Sequence, residues 1–258
     1  MTEENTAAAS PAEPPTTAQT RFCSAIEDSV FQPAENIGVT ARAALLKAAF
    51  WGRGVRLRVS FLEGEVALQQ RVAALAQIWP DETGADFSFE FWIDSALDAS
   101  KADIRVSFRP ELGSFSKLGR YAQTADRSAR TMNLGWMTTE LAEGEARAVV
   151  LHEFGHALGL VHEHMNPARP IAWNREQVTA DLSGSQGWSD ATIAANMFDR
   201  YRADEVFGTD IDSLSIMMYP IPPEWTNDGF VAPFNTVLTQ ADRALIREAY
   251  GVRRGFGS

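Results

Sequence analysis

The run His152-Glu153-Phe154-Gly155-His156-Ala157-Leu158-Gly159-Leu160-Val161-His162-Glu163 decides how this 258-residue chain is read. On an α-helix, residues four apart are offset by only about 40° around the axis, so His152 and His156 present their imidazoles to one side, one turn apart. That spacing suits two ligands of one cation. Glu153 lies about 100° round from His152 and can reach a water on such a cation without binding it, as a general base would. Gly159 can take the positive φ that ends a helix and turn the chain back, bringing up His162 as a third imidazole. Three neutral nitrogens would leave a zinc ion one open position.

A bare HExxH also occurs in helices that hold no metal. Here all four histidines, at 152, 156, 162 and 164, fall in one 13-residue window, which scattered core or surface histidines would not do. No slot of the pattern needs His164.

The surroundings predict the scaffold. Val55, Leu57, Val59 and Phe61 alternate with polar residues, as do Phe87, Phe89 and Phe91, and Ile104, Val106 and Phe108, giving three strands. Gly113 to Tyr121 and Thr131 to Leu134 can add two more. Val66 through Trp79 has helical spacing and is expected to stop at Pro80. A core helix following Gly144 carries the histidine motif. Ser189 or Asp190 can cap a helix that uses Ile193, Met197 and Tyr201, and Thr239 another that uses Leu245 and Ala249. The expectation is an α+β chain: an N-terminal lobe of mixed twisted sheet with two long helices, the HExxH helix among them, a helix-rich C-terminal lobe, and a cleft between.

Ser215-Ile216-Met217-Met218-Tyr219-Pro220 carries no charge and alone would read as a buried turn. Beside HExxHxxGxxH it resembles the methionine-turn of the metzincin clan of zinc peptidases, whose Met forms an apolar floor under the metal. Within that clan the chain resembles the astacin-type peptidases: Glu163 follows the third histidine, and Tyr219 ends the turn. The resemblance implies a metzincin-type zincin fold over about residues 50 to 250 and one catalytic Zn2+ on His152, His156 and His162, floored by Met217. It implies a metalloendopeptidase with Glu153 as base. Tyr219 would be an extra metal ligand at rest that swings out to stabilise the oxyanion; a plain core tyrosine is the other reading. Gly113 to Tyr121 is the candidate for the strand that pairs with an extended substrate, an ordinary edge strand being its alternative. The chain departs from the family at Met218, where a His is usual, at His164-Met165-Asn166-Pro167, which replaces an arginine-rich stretch, and in lacking the disulfide cysteines.

Composition narrows the rest. A net charge of -11, with no basic cluster longer than Arg253-Arg254, argues against nucleic acid as a partner. No window of about 18 apolar residues exists, so no membrane insertion is expected. Residues 1–20 read as a disordered tail, 21–50 as an N-terminal extension or removable propeptide, and 51–252 as the zinc metallopeptidase domain. The start is neither basic nor apolar, so no Sec-type signal is visible and the compartment stays open between cytoplasm and non-Sec export. Cys23 is the single cysteine; it is either buried as an apolar side chain or its thiolate reaches the open zinc position and holds the enzyme latent. Asp28 is an acidic alternative for such a cover. The expected partner is a protein or peptide substrate, met by a monomer. Two other functions compete: a silent zinc-holding protein-binding module of the same fold, and a metal-dependent hydrolase acting on something other than peptides.

Overall fold

The computed structural model describes Cys23 and residues 49–167, 170–200 and 211–255. The expected tail over 1–20, Asp28 and Tyr201 lie outside the described residues, as does most of 21–50.

Strand β1 (Val55–Phe61) buries Leu57 and Val59 completely, as its alternation predicts. Helix α1 (Val66–Ala76) follows, then α2 (Ile78–Thr83), strands β2 (Phe87–Trp92), β3 (Ile104–Ser107), β4 (Ser114–Ser116) and β5 (Met132–Leu134), and helix α3 (Glu143–Ala157). The five strands form one sheet in the order β2-β1-β3-β5-β4, parallel except for the β4–β5 pair. Helices α1 and α3 bury Leu68, Val72, Val150, Leu151 and Phe154 in one core with Leu57, Val59, Ile104 and Val106 of the sheet. The mixed α+β expectation is met in this half.

Two expectations fail locally. Pro80 does not stop a helix: it occupies the first turn of α2, where its missing N–H costs no intrahelical bond, and Gly84 at φ 60° ends the element instead. The stretch Gly113 to Tyr121 is strand only over β4. Gly119, at φ 47°, then turns the chain into a 3-10 helix over Gly119–Thr124, and a Cβ there would collide with the Ala49 carbonyl.

The C-terminal half contains α4 (Arg175–Gln186) and α5 (Asp190–Ile193), which continues as a π-helix over Ala194–Phe198, and finally α6 (Gln240–Tyr250). Ser189 caps α5 by accepting from the Thr192 N–H, and Thr239 forms a capping box with Asp242 at α6. Val178, Leu182, Ile193, Met197, Ile221 and Trp225 make a second core. Helix α6, expected in this lobe, instead returns to the first. Ile246 and Tyr250 join the first core, Arg247 Nε donates to Thr83 O at 2.6 Å, and the Tyr250 hydroxyl donates to Leu158 O at 2.8 Å. No described helix is long and apolar enough to cross a membrane.

Trp79 ties the site helix to this frame: it is fully buried, and its indole N–H donates to Leu151 O at 3.0 Å. Trp79→Ala should cost about 3–5 kcal/mol of stability, read as a lowered urea midpoint at unchanged slope; a change under about 1 kcal/mol would remove Trp79 from this role.

Candidate metal centre

Helix α3 ends in a hydrogen-bonded reversal built on Gly159. Its φ is 98°; Leu160 N–H donates to Gly155 O at 3.0 Å and Gly159 N–H to His156 O at 2.8 Å, the two bonds of a Schellman motif. A side chain at 159 would press on Ala49 and Phe50. The reversal sends Leu160 O back to accept from His156 Nδ1 at 2.8 Å. A carbonyl only accepts, so His156 carries its proton on Nδ1 and leaves Nε2 with a free lone pair. The same reasoning applies to His152, whose Nδ1 donates to Ile216 O at 2.8 Å.

The chain beyond the reversal delivers the third imidazole. His162 Nε2 lies 3.1 Å from His156 Nε2 and 3.2 Å from His152 Nε2. Its Nδ1 is buried with no hydrogen-bond partner among the described residues. The ring is held instead by the Tyr219 ring at 4.3 Å between centroids and by His164 stacked at 5.3 Å. His164 in turn stacks on Tyr219 at 4.8 Å and donates from Nε2 to Asn196 O at 2.7 Å. Sequence reasoning gave His164 no role, and nothing in the spacing signals a ring that braces its neighbours.

Burial sets the protonation of this group. It lowers His152 to about 4 despite some exposure of that residue at the cleft. It holds His156 and His162 well below the usual range, with repulsion between the rings adding to the effect. At neutral pH three uncharged nitrogens therefore face one another, an arrangement that repels itself unless a cation lies between. Two ligands of a tetrahedral zinc at 2.0–2.1 Å stand about 3.3–3.4 Å apart, so the spacing of these nitrogens fits that ion. Burial pushes Glu153 up to about 8, the Cys23 thiol contact acting the other way.

The segment over residues 215–220 packs against the site helix. Met217 sits against Gly155, where a Cβ would collide with its sulfur and press on Trp79 at 3.2 Å. Glu163 N–H donates to Met217 O at 3.0 Å, which holds the third-histidine segment to the turn. The Glu163 carboxylate accepts from Asn166 Nδ2 and from Asp212 N–H, and burial lifts it to about 7.

Cys23 reaches this centre from far outside it in sequence. Its thiol donates to Glu153 Oε2 at 3.5 Å, its carbonyl accepts from the Tyr219 hydroxyl at 2.5 Å, and its sulfur lies with the three histidine donors in one group within 4.8 Å. Cys23 is 4% exposed and packs into the second core, as an apolar side chain would, and its thiol at the same time touches Glu153 beside the histidine group. Beside it opens a pocket lined by Trp136, Val149, His152, Glu153, Met218 and Phe234. Strand β4, within the stretch proposed for substrate pairing, lies at the sheet edge, bonded among the described residues to β5.

Two solved structures of myroilysin share this architecture. One superposes with a TM-score of 0.75 at 31% identity, covering 81% of this chain and 98% of its own. The chain belongs to the myroilysin family. The second structure of myroilysin aligns at 31% identity with a TM-score of 0.59, over 79% of this chain and 86% of that one. No family model matches the sequence, and neither does any curated protein. Membership of the myroilysin family points to a peptidase.

Gly155→Ala tests the fit of the turn against the helix: overpacking beside Met217 should cost about 1–3 kcal/mol, seen as a lowered melting temperature. A variant as stable as the parent would show that the methionine can move aside freely.

Proposed function

We propose that this protein is a zinc-dependent metalloendopeptidase of the astacin-like type, with residues 51–252 as its catalytic domain. The observation that carries the reading is the convergence of three uncharged imidazoles, with His162 Nε2 3.1 and 3.2 Å from the Nε2 atoms of His156 and His152, beside a buried carboxylate. Kinship with myroilysin supports a peptide substrate. His152, His156 and His162 would hold the ion, and Met217 would floor it. Zinc bound there supplies Lewis acidity and lowers the pKa of a water to near 7.

The chain's own groups do the rest. Glu153 takes the proton from the attacking water and hands it to the leaving amine. The Tyr219 hydroxyl, which already donates to a peptide carbonyl in the cleft, is suited to donate to the oxygen of a scissile one. In a resting enzyme free of Cys23 it would be an additional ligand. An extended substrate bound along β4 needs no free terminus, which favours internal cleavage.

Cys23 gives the competing reading its one supporting observation, since three histidines and a cysteine make a closed structural zinc site. Its origin in the 21–50 segment, outside the proposed catalytic domain, and its contact with Glu153 favour latency, since a thiol on the base would keep it from a water.

Purified wild type should carry about one zinc and cleave casein, while Glu153→Ala should keep the zinc and lose at least about 100-fold in kcat/KM. Zinc in both proteins with cleavage by neither, even after trimming of residues 1–50, would leave the binding module standing. Cys23→Ser should retain zinc on the three histidines and cleave at least about ten times faster than the untrimmed parent. Loss of the metal together with stability would instead make Cys23 a structural ligand.

A further inference from the structure

The His152 imidazole can offer Nε2 to a cation only while its other nitrogen is held, and that holding group is itself held. Ile216 O, which accepts from His152 Nδ1, is one end of a peptide unit whose other end is the Met217 N–H. That N–H donates to Ser215 Oγ at 3.0 Å, and the Ser215 hydroxyl donates to Asp242 Oδ1 at 2.5 Å. Every donor in the series points the same way, from His152 through the peptide and the serine to a carboxylate. Bonds aligned head to tail polarise one another, more so away from water. Asp242 is 4% exposed, Ser215 1% and Ile216 2%.

Asp242 is also bound into the frame. Its Oδ2 accepts from Thr239 N–H at 2.8 Å, completing the capping box of α6, and from Ile216 N–H at 3.0 Å. A cap needs only the Thr239 bond; the remaining contacts of the carboxylate go to the methionine-turn. Metal-bound histidines commonly donate their second N–H to a carboxylate, which fixes the ring and raises its basicity. Here the same relation runs through one peptide unit and one hydroxyl.

We propose that Asp242 is a positioning residue of the metal centre, orienting His152 through Ser215 and the Ile216–Met217 peptide. This rests on reading His152 as a zinc ligand. It assigns α6, which returns from the second lobe to the first, a direct line to the ion.

The test is zinc affinity of the full chain, measured by competition with a chromophoric chelator, with the visible spectrum of the cobalt-loaded protein as a second readout. Asp242→Asn and Ser215→Ala should each weaken zinc by about 10–100-fold and shift the cobalt bands. Thr239→Ala, which cuts the side-chain half of the cap and leaves the series intact, should stay within about threefold of wild type. Ser215→Ala keeps Asp242 on its helix and decides the matter if Asp242→Asn does not fold. Affinities of Asp242→Asn and Ser215→Ala equal to wild type would overturn the link and leave the zinc reading untouched. A wild-type chain that takes up no zinc would remove the reading, and the link with it.

Discussion

Three imidazoles, two buried and one half-buried at the cleft, brought together with their lone pairs facing inward are an electrostatically unfavourable arrangement, and much of the structure serves to impose it. Burial removes the option of protonation, so each ring must be locked in orientation from behind. Two are locked by backbone carbonyls, Leu160 O and Ile216 O, which force the proton onto Nδ1. The third, His162, is braced by the faces of Tyr219 and His164. A rigid helix, a reversal and a turn from a distant part of the chain must all keep register for this to hold.

The two cores explain how they do. Ile216 and Met217 belong to the core shared by the sheet, α1 and α3, whereas the next two residues, Met218 and Tyr219, belong to the core of the second lobe. Residues 215–220 are thus the seam where the two cores meet, and adjacent residues answer to different interiors. Helix α6 crosses the same boundary, capped at the turn and buried by Ile246 and Tyr250 in the first core.

Much of this was legible in the residues. Helical spacing placed His152, Glu153 and His156, and the need for a residue tolerant of positive φ at the reversal pointed to Gly159, which has φ 98°. Alternation located β1, β2 and β3 because their inward residues fill one core. Features set by long-range contact were not legible. Pro80 reads as a stop by local rules, yet a proline is harmless in a first turn, and only the start of α2 at Ile78 reveals that it is one. Gly113 to Tyr121 reads as one strand because the nearness of Ala49 to Gly119 lies outside any local window. The position of Cys23 depends on contacts across 130 and 196 residues, to Glu153 and Tyr219. The capping box at Thr239 was readable as a helix start, while its second use, toward Ser215, was not.

The groups that orient His152 and His156 are main-chain oxygens, and this has a consequence for how such a site can change over time. Any side chain that preserves the local path supplies the same acceptor, so Leu160 and Ile216 are free to drift as far as their interiors permit. What inheritance must preserve is a curve of the backbone rather than a set of partner residues. Comparison of letters alone would then understate how much of the centre two distant relatives share.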